Sequence, residues 1–260
     1  MLEMIVGVFV FLFGICIGSF LNVCIYRMGR EQSVVKPASH CPHCKNPIRP
    51  KDNIPLVSYI LLRGRCRDCG QKISPRYFFV ELLTSLFFLA LYYRFGLSVQ
   101  GFAYCVLICG LIVATFVDFD FRIIPDEISV GGIVVGLLLS FIFPSLQHAT
   151  NHLWGLLHSL LGVIVGGGVL WLLGCFGDFI FKKESMGGGD VKLLAMIGAF
   201  LGWQIALLSL PLGSLAGAVV GVIIKLRTKE STIAFGPYLA LGAVASIFWA
   251  PKIIDIFFHI

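Results

Sequence analysis

The sequence predicts an all-α polytopic membrane protein of about eight transmembrane helices, with a small cysteine-containing domain in one polar loop. Only 13% of its 260 residues are charged, whereas a soluble domain carries roughly 25%. The mean hydropathy is +0.92, and apolar runs of membrane-spanning length recur along the chain. The polar loop at 27–76 contains four cysteines arranged as two close pairs.

The apolar runs give the number of membrane helices. They cover about 2–26, 77–96, 99–117, 127–144, 152–180, 190–226 and 232–256. The run 190–226 would be about 55 Å long as one straight helix, against a hydrocarbon core of roughly 30 Å. We therefore expect it to break at Gly202-Trp203-Gln204 into a short helix, about 190–201, and a longer helix, about 203–226.

The distribution of lysine and arginine predicts the orientation of the chain. The loop 27–76 is strongly basic, which places it in the cytoplasm and the N-terminus outside. Eight alternating spans then leave only Arg94 and Lys252, of the 20 basic residues, on the outer side. This agreement supports the number of spans as well as their direction.

The cysteines of the loop predict a metal site. They are Cys41, Cys44, Cys66 and Cys69. Two Cys-x-x-Cys turns allow four thiolates to converge tetrahedrally on zinc. A reducing cytoplasm disfavours disulfides, and a loop this short and polar needs a metal to order it. A redox Cys-x-x-Cys is the alternative, but it normally stands alone near a soluble βαβ unit. We expect a closed, structural zinc site.

Three glycines, Gly187 to Gly189, precede Asp190 at the start of the short apolar helix. Glycine permits backbone conformations closed to other residues and lets another segment approach closely. A charged side chain costs roughly 2.5–3.5 kcal/mol at the centre of a membrane helix and less near its ends, which makes Asp190 a functional candidate. The structural alternative is a glycine hinge with Asp190 as the helix N-cap.

Asp118 is the acid nearest the third apolar span, and two spans separate it from Asp190. An even number of crossings returns the chain to the same membrane face, so the two carboxylates can meet. Two acids in a low-dielectric site do not both ionise easily. One can activate water while the other donates a proton. This chemistry is that of an aspartic protease.

These residues together resemble a known family. Asp118, the following Ile123-Ile124-Pro125-Asp126 and the glycines before Asp190 are similar to the Gly-x-Gly-Asp intramembrane aspartic proteases, in particular the type IV prepilin peptidases. The segments Gly18 to Arg27 and Ser74 to Glu81, and the four-cysteine loop, also resemble that family. The resemblance covers essentially the whole chain.

The resemblance implies a specific task. Such enzymes cut a short basic leader from prepilins and pseudopilins at the cytoplasmic face of the inner membrane. Members with the cysteine loop also methylate the new N-terminal amine, using S-adenosylmethionine. The resemblance implies that Asp118 and Asp190 are the catalytic pair and that the four cysteines hold zinc in a methyltransferase-type half, 1–97. Residues 98–260 would form the membrane peptidase half.

Several polar residues remain open to two interpretations. The chain has no glycine-rich βαβ fingerprint for the methyl donor. Four residues at the ends of the first two helices could line its site or pair with each other: Asn22, Arg27, Arg76 and Glu81. Three acids of the loop after Asp118 are expected to be solvated, and by charge they could dock the basic leader: Asp120, Asp126 and Glu127. Asp178 is the other acid near this face, but it lacks the glycine setting.

Two other protein classes fit part of the sequence. A proton-coupled transporter also uses intramembrane carboxylates, but near the midplane and often between internal repeats. A zinc-dependent redox protein would explain the cysteines and leave the glycine–aspartate motif without a role. Serine and metalloprotease motifs are absent from the sequence. The sequence does not distinguish pilus, type II secretion and DNA-uptake substrates, and it does not give the oligomeric state.

Overall fold

The computed structural model describes residues 1–182, 186–228 and 234–258. Lys183 and Lys229, both expected on the cytoplasmic side, lie outside these ranges. The helices are α1 (Leu2–Met28), α2 (Val57–Leu61), α3 (Arg76–Phe95), α4 (Val99–Phe121), α5 (Asp126–Ile142), α6 (His152–Phe181), α7 (Gly188–Leu201), α8 (Trp203–Thr228) and α9 (Gly236–Phe258). In the described ranges, the all-α fold is confirmed.

Each of the eight predicted apolar helices is present, as α1 and α3 to α9. Among the described residues, α1, α3, α4, α6 and Trp203–Ile224 of α8 are long and apolar enough to cross a membrane. The helices α5 and α7 are shorter. The additional helix α2 is a short element of the polar loop.

The predicted break after the short helix is confirmed. Helix α7 ends at Leu201 and α8 begins at Trp203. Gly202 between them has a φ of +81°, which glycine adopts without steric strain. With 14 residues, α7 is about 21 Å long and shorter than a hydrocarbon core of roughly 30 Å.

Buried side chains satisfy the backbone at the end of α7. The Gln147 amide donates to the carbonyls of Ala199 and Phe200 at 3.1 and 3.3 Å. The Ser159 hydroxyl donates to the Ala199 carbonyl at 2.6 Å. The last carbonyls of a helix have no partner within the helix, so these side chains allow α7 to end in an apolar environment.

The chain divides into two compact units, Met1–Val113 and Ala114–Ile260. In the first unit, α1 packs against α3. Gly14 and Gly18 make this possible, because a Cβ on either would lie 2.7 Å from a Cα atom of α3. The predicted boundary between a methyltransferase-type half, 1–97, and a peptidase half, 98–260, is a division by function and stays a prediction.

In the second unit, α6 packs against α7 and α8 packs against α9. The backbones of Gly162 and Gly198 contact each other where α6 meets α7. Gly213 and Gly217 of α8 face Tyr238 of α9. These glycines thus serve close helix packing within the chain, as small residues commonly do in membrane proteins.

Candidate active site

Asp118 lies in the last turn of α4, which continues to Phe121, one turn beyond the predicted apolar span. The Asp118 side chain is buried. Its Oδ2 atom accepts a 3.0 Å hydrogen bond from the backbone N–H of Gly236, the first residue of α9. A Cβ on Gly236 would lie 2.7 Å from the same oxygen. The carboxylate is therefore held by a backbone N–H at a position where a Cβ would press on the same oxygen.

Asp190 lies in the first turn of α7 and is half-buried. The N-cap residue is Gly187, with φ −71° and ψ 135°, and α7 has no side-chain cap. The interpretation of Asp190 as the N-cap is therefore wrong. Because Asp190 is the third residue of the helix, its side chain is available for another role.

The glycines before Asp190 matter for the room that a missing side chain leaves, and not for unusual backbone angles. All three are described, and none has a positive φ, so the expectation that they adopt conformations closed to other residues is wrong. A Cβ on Gly189 would lie 3.1 Å from the Cβ of Ile124, whereas a Cβ on Gly188 would meet open space. The other expectation, that another segment of the chain approaches the glycines closely, is met at Gly189.

Ile124 connects the surroundings of the two aspartates. It is buried, and a Cβ atom on either Gly189 or Gly236 would lie 3.1 Å from its side chain. Asp118, through its contact with Gly236, and Asp190, which follows Gly189, are therefore both placed around Ile124. Two such carboxylates favour a state in which one is ionised and the other is protonated. The arrangement suits acid–base chemistry on a bound water.

Asp120, Asp126 and Glu127 are exposed, as expected. Asp178, the other acid near this face, is exposed as well. Asp126 forms an ion pair with Lys192 of α7, at 2.7 Å. Both side chains of this pair are substantially exposed, so it contributes little to stability.

Sequence reasoning missed the contact of Gly236 with Asp118, the packing role of Ile124 and the ion pair of Lys192 with Asp126. Gly236 precedes Pro237 at the start of the last apolar run. A glycine followed by proline at a helix start was the available signal, because proline suits the first turn of a helix. The sequence contains no signal that this glycine faces Asp118, 118 positions away.

The four cysteines of the loop converge in the first unit. The sulfur atoms of Cys41, Cys44, Cys66 and Cys69 all lie within 4.8 Å of one another. The Cys41 and Cys69 sulfurs are 3.8 Å apart. Four sulfurs bound tetrahedrally to zinc at about 2.3 Å would be separated by about 3.8 Å. The donor set and its spacing therefore fit one tetrahedral zinc ion.

The two cysteine turns have matching backbone hydrogen bonds. The N–H of Cys41 donates to the Asn46 carbonyl, and the N–H of Cys66 donates to the Gln71 carbonyl, both at 2.9 Å. Each turn is closed by an isolated antiparallel bridge, His40 with Pro47 and Arg65 with Lys72. The sequence pairs therefore fold as two similar knuckles.

The thiols differ in how readily they lose a proton. Burial raises the pKa of Cys41, but hydrogen bonds from the backbone of Cys44 and His43 and from neighbouring thiols lower it to about 7. The Gln71 backbone favours the Cys69 thiolate, yet partial desolvation and the other three thiols raise the pKa of Cys69 to about 12. Successive negative charges are costly without a cation, which a bound metal would supply.

Ion pairs tie the knuckles to the rest of the loop. Arg67 donates two hydrogen bonds to Asp52, at 2.8 and 2.6 Å. This contact holds the pKa of the Asp52 carboxyl below its ordinary value. Arg49 pairs with Asp68 at 3.2 Å.

Asn22, Arg27 and Glu81, three of the four polar residues at the ends of α1 and α3, form hydrogen bonds with backbone groups. In these hydrogen bonds they do not pair with one another. Asn22 donates to the Tyr77 carbonyl at 2.9 Å. Arg27 donates to two loop carbonyls, at 3.0 and 2.6 Å. Glu81 accepts a 2.7 Å hydrogen bond from the Leu56 N–H.

Comparison with known proteins finds a match for the cysteine-containing part of the chain and another for the part that contains the two aspartates. The profile of the bacterial peptidase A24 N-terminal domain matches residues 12–95. The profile of the type IV leader peptidase family matches residues 105–222. A prepilin leader peptidase/N-methyltransferase of Stutzerimonas stutzeri is 37% identical over 268 residues, which cover 92% of this chain and 89% of the relative. The chain belongs to the type IV leader peptidase family.

Other members of the leader peptidase family are similarly related. A prepilin leader peptidase/N-methyltransferase of Myxococcus xanthus is 41% identical over 225 residues, covering 86% of this chain and 65% of that relative. A type 4 prepilin-like proteins leader peptide-processing enzyme of Escherichia coli O78:H11 is 38% identical over 255 residues, covering 90% of this chain and 91% of that relative. No solved structure matches the chain.

Proposed function

We propose that this chain cleaves the leader peptide of type IV prepilins or pseudopilins by an Asp–Asp mechanism and N-methylates the new N-terminal residue. Family membership supports the reaction type. The observation that supports the catalytic assignment is that Asp118 and the Gly189–Asp190 segment are both placed around the same buried residue, Ile124.

In the proposed cleavage, the ionised carboxylate of the Asp118–Asp190 pair takes a proton from water. The resulting hydroxyl group attacks the scissile carbonyl carbon while the protonated carboxyl donates its proton to the carbonyl oxygen. The tetrahedral intermediate then collapses and the C–N bond breaks. The leaving amine takes the proton that the first carboxylate had removed from water, and one hydroxyl of the intermediate returns its proton to the other carboxylate as the new carboxyl group forms. The Gly236 N–H fixes the orientation of the Asp118 carboxylate during these transfers.

The proposed methyl transfer belongs to the amino-terminal half, 1–97, and the proposed peptidase to 98–260. S-Adenosylmethionine, when bound, supplies an electrophilic methyl group to the new amine. The cysteine cluster would hold a structural zinc ion, because four thiolates leave no position open for a substrate. The zinc would order the loop that surrounds the methyl-transfer site.

The proposed orientation places the N-terminus outside the inner membrane and both activities at the cytoplasmic face. The basic loop 27–76 supports it. Asp120, Asp126 and Glu127 are exposed in the same unit as the aspartate pair. Their negative charge would attract a basic leader, so they are the proposed docking residues.

Cleavage of a purified prepilin in detergent tests the function. We compare wild type with Asp118→Asn and Asp190→Asn, and mass spectrometry follows the leader and any methyl group added to the product. Each substitution should lower the cleavage rate at least about 100-fold, while a pre-cleaved pilin is still methylated. Normal cleavage by both variants would contradict the proposal and favour the transporter interpretation.

A further inference from the structure

A cavity of about 740 Å³ lies within the first unit, between the polar loop and the ends of α1 and α3. Its wall includes Asn22 and Tyr26 of α1, Tyr77 and Glu81 of α3, and Leu56 of the loop. Small-molecule sites typically have volumes of about 300–1,000 Å³. The cavity is therefore large enough for a nucleoside-sized ligand, and none of the catalytic residues proposed for cleavage lines it.

The acids in the cavity wall differ in their partners. Asp52 faces Arg67, and Asp68 faces Arg49. Glu81 is instead held by neutral donors, the Leu56 N–H at 2.7 Å and the Ser19 hydroxyl. The Glu81 side chain is only 7% exposed. A buried carboxylate with neutral partners favours a cationic group placed beside it, because burial of the charge is otherwise costly.

The backbone beside Glu81 is strained. Leu56 has a φ of 59° and a ψ of −51°, and the Val57 N–H donates to the Pro55 carbonyl at 2.6 Å. This is the rare form of γ-turn, which is costly for a residue with a side chain. Such strain persists only where its surroundings hold it, and it is common at ligand sites. Here the Glu81 carboxylate holds the strained turn in the cavity wall.

Aromatic and cationic groups complete the wall. Tyr26 and Tyr77 line the cavity. The Arg30 guanidinium lies 4.2 Å from the centroid of the Tyr26 ring. Tyrosine rings offer flat surfaces to a purine base, and arginine is suited to a carboxylate. Cys41 and Cys66 also line the cavity, so a metal bound by the cysteines would hold part of its wall in place.

We propose that this cavity binds S-adenosylmethionine, with the Glu81 carboxylate facing the cationic methionine end of the ligand. The donor set fits: one buried carboxylate for a cation, tyrosines for the adenine and arginine for the carboxylate. This inference rests on the proposed methyltransferase activity and assigns it a site. Glu81 is a ligand-binding residue here as well as the anchor of the Leu56 turn.

Isothermal titration of the purified, metal-loaded full chain with S-adenosylmethionine tests the site. Glu81→Gln keeps an oxygen to accept the Leu56 N–H but removes the charge. It should weaken S-adenosylmethionine binding at least tenfold, without loss of zinc or a lower melting temperature. Glu3→Gln makes the same change at an exposed position in the first turn of α1, and its binding should equal that of wild type.

Val23→Trp, measured in parallel, tests the cavity independently of Glu81. Val23 lines the cavity, and an indole there should abolish S-adenosylmethionine binding by filling the space. Wild-type affinity in Glu81→Gln or in Val23→Trp would overturn the site while leaving the methyltransferase proposal intact. A wild-type protein that neither binds S-adenosylmethionine nor methylates pilin would overturn both.

Discussion

The backbone N–H of Gly236 donates a 3.0 Å hydrogen bond to Oδ2 of Asp118, and no side chain fits at Gly236 beside that oxygen. The contact joins the end of α4 to the start of α9. Asp118 is therefore oriented by a residue far away in the sequence, and the contact requires glycine. A substitution at residue 236 should disturb the carboxylate without removing it.

We expect Gly236→Ala to lower the rate of leader cleavage about tenfold or more, because small displacements of a reacting group have large effects on rate. The new Cβ would lie 2.7 Å from the Asp118 oxygen. Methylation of a pre-cleaved pilin should not change. Gly131→Ala is the control, since a Cβ there would have no atom within 4 Å. Equal cleavage by Gly236→Ala and the control would show that this contact does not position Asp118 for the reaction.

The neighbouring glycines before Asp190 should differ in their tolerance of alanine. A Cβ on Gly189 would press on Ile124 at 3.1 Å, while one on Gly188 would meet open space. We expect Gly189→Ala to reduce cleavage several-fold and Gly188→Ala to retain it. Initial rates on one prepilin substrate measure both. If Gly188→Ala lowers the cleavage rate more than Gly189→Ala does, steric contact is not the reason that glycine is required here.

The sequence predicted the parts of this protein that depend on local pattern. Membrane helices follow from apolar runs, and the four-cysteine cluster follows from the spacing of Cys41, Cys44, Cys66 and Cys69. Asp118 and Asp190 were paired by counting membrane crossings. Gly236 was missed because its backbone N–H, and not a side chain, makes the contact. The strained turn at Leu56 was missed because leucine normally avoids a positive φ.

The exposed acids should affect the binding of the leader more than the chemical step. Asp120 and Glu127 are both exposed, and Asp126 faces Lys192 at 2.7 Å. We expect Asp120→Asn with Glu127→Gln to raise KM several-fold at low salt and to leave kcat unchanged, with a smaller effect at high salt because of screening. Glu3→Gln with Glu31→Gln, at two exposed positions of the first unit, controls for the loss of two acids. An unchanged KM at low salt would exclude leader docking at these residues.

Loss of a metal held by the four cysteines should separate the two activities. The cysteine cluster and its ion pairs lie in the first unit, whereas Asp118 and Asp190 lie in the second. We expect chelation, or Cys66→Ser, to abolish methylation while cleavage falls by much less. Metal content by mass spectrometry and assays of both products measure this. A parallel loss of cleavage would mean that the peptidase also depends on the ordered loop.

Gln147 should be important for stability, although it lies outside both proposed sites. Its amide satisfies the carbonyls of Ala199 and Phe200 at the end of α7, and it is buried. Gln147→Leu would leave these carbonyls without that donor, at a cost of about 1–3 kcal/mol. We expect a lower melting temperature in detergent than for Gln204→Leu, which makes the same change at an exposed position. Because α7 carries Asp190 at its other end, cleavage should fall as this helix loosens, and equal melting temperatures would show that another donor replaces Gln147.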